Sequence, residues 1–308
     1  MTPKKMVVIT AVADLRKEPK PRALDRKQDF DQETQLLFGE HVLAYEEKDG
    51  WVSVEAVEQQ EFTHNHRWEG YPGWVQRKAL VEVAEFPRPN AVVIAGYAAL
   101  KKGTSFFSGR LAKLSLGTRL VIVEAEKSKK GWSRVLLADG RRGWVRTGDI
   151  RMLSDLPFIH EGSRSSIVDT ARRFLGGPYF WGGRSFYDKR NKKVMTGVDC
   201  SGLVYLSYRI NGLDVPRDAH EQFLKSRRIE AKNLKPGDLI FLSTREDPEN
   251  FSHVMIYAGD GKIIEAAGEK DGVRETTLKE RLGVTPESLG WGDRTELYRV
   301  YFGTYIPE

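Results

Sequence analysis

Three observations predict an α+β chain made of two small all-β barrels followed by one mixed domain. First, Gly-Trp strand starts recur through the N-terminal half: Gly50-Trp51-Val52 with Gly73-Trp74-Val75, then Gly131-Trp132-Ser133 with Gly143-Trp144-Val145. Second, the pattern changes near residue 156 from short alternating strands to mixed helical and strand periods. Third, 308 residues, 40% of them hydrophobic, suffice for roughly two domains of about 150 residues with proper cores.

The first residues need a separate reading. Lys4 and Lys5 precede an apolar stretch over 6–13 that superficially suggests a signal peptide. It is short, and Asp14-Leu15-Arg16-Lys17-Glu18 follows with no convincing cleavage site. It reads as a first β-strand running into a loop. The expected location is the cytoplasm, or outside it if a leader has been removed.

Residues 1–84 form the first barrel and 85–155 the second, separated by Glu85-Phe86-Pro87-Arg88-Pro89-Asn90, whose prolines stiffen a linker. Gly50 to Gly73 is a step of 23 whereas Gly131 to Gly143 is a step of 12, so the first copy carries an insertion over about 56–71. The barrel core is the expected place for Trp51, Trp74, Trp132 and Trp144. Residues 156–308 make the mixed domain. A helix over 167–175 is stopped by Gly176-Gly177-Pro178, and a second follows Asp199, with Leu203, Leu206 and Ile210 on one face and Asn211-Gly212 as its stop. Lys235-Pro236-Gly237-Asp238 turns into a strand, and Gly259-Asp260-Gly261 joins a strand from His253 to one ending at Ala267.

Several function classes are excluded or disfavoured. One cysteine closes no internal disulfide and builds no four-thiolate metal site. No apolar run approaches the roughly 20 residues of a membrane span. The net charge of +6 comes from clusters at 127–130, 141–142 and 189–193 that alternate with acids and lack nucleic-acid-binding patterns. They read as solvated loop tips. His64 and His66 lack a third ligand and read as a surface loop rather than a zinc site.

The chemistry centres on Cys200, which opens the second predicted helix. Unpaired N–H groups and the positive end of the helix dipole favour thiolate there and can stabilise an oxyanion. His253 is its candidate base. In a hairpin centred on Gly259, Glu265 lies directly opposite His253 and can orient the imidazole. In one centred on Asp260, Ala267 takes that place and Glu265 is diagonal. Glu265 also reads as a polar edge-strand residue.

Pro178-Tyr179-Phe180-Trp181-Gly182-Gly183, Asp199-Cys200-Ser201-Gly202, Leu234-Lys235-Pro236-Gly237-Asp238-Leu239 and His253-Val254-Met255-Ile256-Tyr257 occur in this order. Together they resemble the NlpC family of papain-like cysteine peptidases, and the repeated segments resemble bacterial SH3-type barrels. The resemblance implies Cys200 as nucleophile, His253 as base and Tyr179 beside the thiol. Two departures stand out. Glu265 replaces the third polar residue, commonly histidine, and the excess between Tyr179 and Cys200 suggests a loop insertion over 184–195.

Two such barrels ahead of an NlpC domain resemble the γ-D-glutamyl-L-diamino acid endopeptidases of murein peptide recycling. That implies a muropeptide substrate with a free N-terminal L-alanine, without cofactor, metal, nucleic acid, membrane or obligate protein partner. A free ammonium in a closed pocket requires carboxylates. The candidates are Asp218, in Pro216-Arg217-Asp218-Ala219, with Glu69 and Tyr71 from the insertion. Arg217 is the candidate for the D-glutamate carboxylate, and Asp199 and Ser201, beside the thiol, complete the substrate-binding set. The other reading of Asp218 is a helix N-cap. An exported hydrolase of intact wall, or a non-catalytic wall-fragment-binding protein, are the alternatives.

Overall fold

The computed structural model describes residues 2–22, 28–105, 107–123, 131–156, 161–190, 194–244, 246–247 and 249–307. The basic cluster at 127–130 and residues 191–193 lie outside them.

Short alternating strands build the first unit: β1 (Lys4–Val8), β2 (Val12–Arg16), β3 (Gln32–Leu37), β4 (His41–Lys48), β5 (Trp51–Glu61), β6 (Glu69–Gln76) and β7 (Leu80–Glu82). They pair in the order β3-β2-β6-β5-β4-β1-β7 around Leu15, Leu36, Val42, Val54 and Val75. The second unit comprises β8 (Ala91–Val93), β9 (Tyr97–Lys101), β10 (Arg110–Ser115), β11 (Arg119–Ile122), β12 (Trp132–Leu136), β13 (Arg142–Arg146) and β14 (Ile150–Met152). Its order, β10-β9-β13-β12-β11-β8-β14, is the same permutation around its own core of Leu100, Leu114, Val135 and Val145. The sequence repeat is thus a repeat of topology.

Two local expectations are corrected. The first apolar stretch is not one strand, since the chain breaks after Val8, and Asp14-Leu15-Arg16 belongs to β2 rather than a loop. The insertion over 56–71 is present and takes the form of an extended β5–β6 hairpin, whose pairing runs to Glu61↔Glu69 after an irregularity between Ala56 and Gln60. Of the four tryptophans, only Trp51 is buried. Trp132 lies on an outer face between the charges of Lys101 and Arg146, and Arg134 covers Trp144, so cation–π contacts replace core burial.

The third unit runs α1 (Glu161–Arg172), α2 (Cys200–Arg209), α3 (Ala219–Lys225), β15 (Arg227–Arg228), β16 (Leu239–Thr244), β17 (Phe251–Gly259), β18 (Lys262–Ala266), β19 (Val273–Thr277), α4 (Leu278–Leu282), β20 (Asp293–Arg294) and β21 (Tyr298–Thr304). The sheet order is β15-β21-β16-β17-β18-β19, with β20 beside β21. The helices α1, α2 and α3 cover β17, burying Ile167, Val204 and Tyr208 against Phe241, Val254 and Ile256. This is a helix layer on an antiparallel sheet.

Buried ions hold the units together. Arg209 on α2 donates to Glu58 of β5 at 2.5 Å and to the carbonyl of Gly117 in the second unit at 2.9 Å. Arg184 donates to the Gln35 carbonyl at 3.0 Å and to Glu40. Of the expected insertion over 184–195, the described residues Arg184, Phe186 and Met195 are therefore wedged between the units. The Phe186 N–H donates to Ser115 Oγ at 2.9 Å, and Gln35 donates to the Met195 carbonyl at 2.8 Å. Removing one partner of such a pair strands the other. Arg209→Met is expected to lower stability by about 3–5 kcal/mol in urea unfolding, whereas Arg228→Met, at an exposed pair, should cost under about 1 kcal/mol.

Candidate active site

The site is assembled where α2 starts. Asp199 occupies the N-cap, and its Oδ1 accepts from the Gly202 N–H at 2.7 Å. Gly202 has no alternative there, because a Cβ would lie 2.2 Å from the Gly183 carbonyl oxygen. Cys200, the first helical residue, is buried.

Arg217 braces this turn. Its Nη2 donates to Asp199 Oδ2 at 2.7 Å and its Nη1 to Oδ1 at 3.1 Å, a two-point clamp on the cap. The same Nη1 reaches Ser201 Oγ at 2.8 Å, and Nε reaches Thr34 of β3 at 2.6 Å. The guanidinium is fully buried. This corrects three expectations at once. Arg217 is committed to protein partners, so it is not available to a substrate carboxylate. The Asp199 carboxylate serves as cap and clamp. The Ser201 hydroxyl donates to Asp199 and accepts from Arg217, so it has no donor left for a ligand.

His253 lies on β17 and Glu265 on β18. The observed register pairs Ile256 with Ile264 and Tyr257 with Ile263, which centres the hairpin on Asp260. Gly259, Asp260 and Gly261 all have positive φ, and this left-handed run sets the turn. Glu265 is accordingly diagonal to His253 rather than directly opposite. Both still share a face, and the long side chains close the gap, with His253 Nε2 to Glu265 Oε2 at 2.7 Å. The Cys200 side chain faces the same imidazole, close enough for its charge to act on it. The three residues thus form a Cys–His–Glu chain.

Electrostatics follow from these contacts. Burial alone would lower His253, but the facing Cys200, the bond to Glu265 and the charges of both raise it to about 9. Burial would raise Glu265. The His253 bond and charge, with Arg281 and Arg274, outweigh it and hold the carboxyl at about 2. Tyr179 pairs with Val198 in an isolated bridge, and burial followed by the charge of Cys200 keeps its phenol well above the usual range.

A second cluster lies against Arg217. Asp218 has the backbone of an N-cap for α3, yet its side chain makes no capping bond. Instead Asp218 Oδ2 accepts from Tyr71 Oη at 2.8 Å, and Arg217 touches Oδ1 at 3.4 Å. Tyr71 Oη also faces Glu33 Oε2 at 3.2 Å. Desolvation, opposed by Arg217 and helped by Glu221, pushes Asp218 up to about 7. Glu69 is not brought here. Its carboxylate is taken by Arg67 at 2.5 Å and by Asn65 in the same hairpin tip. Glu33, rather than Glu69, is the carboxylate that shares Tyr71 Oη with Asp218. No sequence signal marked Glu33, an isolated carboxylate on a strand that reaches the pocket only because β3 meets the third unit.

The hairpin tip is tied down over α3. Thr63 N–H donates to Glu221 at 3.1 Å, and the Gln60 carbonyl accepts from the Arg217 N–H at 3.0 Å. His64 lies exposed in the turn at the hairpin tip, as the loop reading expects, with its Nδ1 3.0 Å from the buried Glu61 and its Nε2 4.0 Å from Glu33. Among the described residues no cluster of three or more His, Cys, Asp or Glu could hold a metal ion.

The profile of the NlpC/P60 family matches residues 176–285. A gamma-D-glutamyl-L-lysine dipeptidyl-peptidase of Bacillus subtilis is 32% identical over 250 residues, covering 81% of this chain and 77% of that protein. The chain belongs to the NlpC/P60 family. It is a cysteine peptidase, and the likeness supports action on cell-wall peptides. A gamma-D-glutamyl-L-lysine dipeptidyl-peptidase of Bacillus cereus is also 32% identical over 239 residues, 75% of this chain and 66% of that protein. The crystal structure of an NlpC/P60 family protein from Bacillus cereus superposes over 98% of this chain and 100% of its own, with a TM-score of 0.77 and 26% identity.

Proposed function

We propose that the chain hydrolyses the γ-D-glutamyl–L-diamino acid bond of cell-wall peptides whose N-terminal L-alanine is free, in the recycling of released muropeptides in the cytoplasm. One observation carries this reading. Asp218 and Glu33 both face Tyr71 Oη, which has a single hydrogen for the two carboxylates. Beyond Arg217 Nη1, 3.4 Å from Asp218 Oδ1 and shared with Asp199, the cluster is short of donors and carries excess negative charge. A primary ammonium, with three N–H donors and a positive charge, supplies both. Arg217 spaces this pocket from the thiol, since it touches Asp218 on one side and Asp199, the residue before Cys200, on the other. The relatives named as dipeptidyl-peptidases act two residues from a terminus, which fits a pocket that anchors the first residue.

In this reading the Cys200 thiolate attacks the γ-carbonyl of D-glutamate, and the Cys200 backbone N–H faces the developing oxyanion. The imidazolium of His253 gives its proton to the leaving amine of the diamino acid, and Glu265 keeps the ring in place. Water, deprotonated by His253, then hydrolyses the thioester and releases the dipeptide. The test is mass spectrometry of products from L-Ala-γ-D-Glu-L-Lys and its diaminopimelate counterpart. The expected products are L-Ala-D-Glu and the free diamino acid; cleavage after L-alanine would contradict the assignment.

A further inference from the structure

Glu265 meets more than His253. It has no solvent-exposed surface, and four donors converge on its two oxygens. Arg274, directly opposite on β19, gives Nε and Nη2 to Oε1 at 3.1 and 2.9 Å. Arg281, from α4, brings Nε to within 3.3 Å of Oε2 and 3.2 Å of Oε1. His253 takes the remaining direction on Oε2. Both guanidiniums are themselves placed. Asp271 lies 3.4 Å from Arg274 Nη1, and Arg281 lies over the Tyr298 ring at 5.5 Å. The start of α4 is fixed by a reciprocal cap between Thr277 and Glu280.

A lone buried carboxylate at this position would harm the chemistry in two ways. It would tend to take up a proton to escape desolvation. If it stayed ionised, its uncompensated field would hold the imidazolium proton too firmly for transfer to a leaving amine. Glu265, the two guanidiniums and Asp271 together carry no net charge, so the field of Glu265 at His253 is partly offset. We propose that Arg274 and Arg281 are positioning residues that offset the charge of Glu265 while fixing its free oxygen on His253. The third member then orients the ring as a carboxylate does, with part of its charge offset. This rests on the triad reading above. The groups that face His253 are Cys200 from α2 and Glu265 from β18, and behind Glu265 stand Arg274, Arg281, Asp271 and Tyr298.

The sign of the effect follows. Removing a guanidinium exposes His253 to more of the Glu265 charge and makes the imidazolium harder to deprotonate. Removing Asp271 leaves excess positive charge and does the opposite. The experiment is NMR titration of the His253 ring, assigned with His253→Gln, beside pH profiles of kcat/KM. Arg274→Gln and Arg281→Gln are expected to raise the His253 midpoint and the alkaline limb by roughly one pH unit. Arg274→Lys and Arg281→Lys should keep both near wild type, and Asp271→Asn, an exposed change, should lower them. Unmoved midpoints in folded Gln variants would overturn the proposal, even with reduced kcat, because a purely structural clamp predicts that result. Lysine variants that shift as far as glutamine variants would overturn it too. Should the Gln variants fail to fold, Asp271→Asn decides: a lowered midpoint supports charge balance and an unmoved one refutes it. Because the titration uses no peptide, it stands apart from the bond-specificity assay, whose failure would instead appear in the cleavage products.

Discussion

Replacing Cys200 with alanine is expected to lower kcat by at least about a thousandfold while leaving substrate affinity nearly intact. The thiol is the reacting atom, and the residues of the carboxylate pocket are held by Arg217 and Tyr71 rather than by sulfur. His253→Ala should cost a similar factor. Residues that act as one unit are strongly non-additive, so the double variant is expected to lose little beyond either single one. Steady-state rates with the free-amine tripeptide, beside calorimetric binding to the Cys200→Ala protein, separate the two quantities. Activity retained in Cys200→Ala would remove the nucleophile assignment outright.

The carboxylate pocket carries the second large effect. Asp218→Asn and Glu33→Gln are each expected to reduce kcat/KM for the free-amine peptide by about 10²-fold, mainly through KM, because each leaves a buried ammonium short of a counter-charge. Glu69→Gln is the contrast, since Glu69 is bonded to Asn65 and Arg67 in the hairpin tip; its kinetics should stay within about twofold of wild type. A pH dependence accompanies this. Asp218 is pushed up to about 7, so it becomes protonated below that pH and loses its attraction for an ammonium. KM is expected to rise as pH falls below about 7, and that rise should be much reduced in Asp218→Asn. Equal losses in Glu33→Gln and Glu69→Gln would place the pocket elsewhere.

The reach of the sequence ended where residues far apart in the chain are brought together. Cys200, His253 and Glu265 were legible because each sits at a local signal: a cap, a strand start, a hairpin. Even there the turn decided the register, and the left-handed run at Gly259-Asp260-Gly261 shifted Glu265 to a diagonal position that only a long side chain could bridge. Glu33 was invisible. It sits 185 residues before Asp218, and docking of the first sheet on the third unit is what brings them together. Arg217 shows the converse error. An arginine beside a site suggests a ligand carboxylate, yet burial requires that its charge be met within the protein, and Asp199 and Thr34 already meet it. Trp132 and Trp144 were misplaced for a related reason. Strand alternation fixes which residues share a face, but not which face a guanidinium will cover.

The most direct test of the account compares L-Ala-γ-D-Glu-diaminopimelate with its N-acetylated twin. Acetylation removes the ammonium and leaves the scissile bond unchanged. The account predicts cleavage of the free-amine peptide and a loss of about 10²-fold or more in kcat/KM for the twin. Cleavage of both at equal rates would contradict it, because Asp218, Tyr71 and Glu33 would then have no part in recognition, and the enzyme would be suited to intact wall instead.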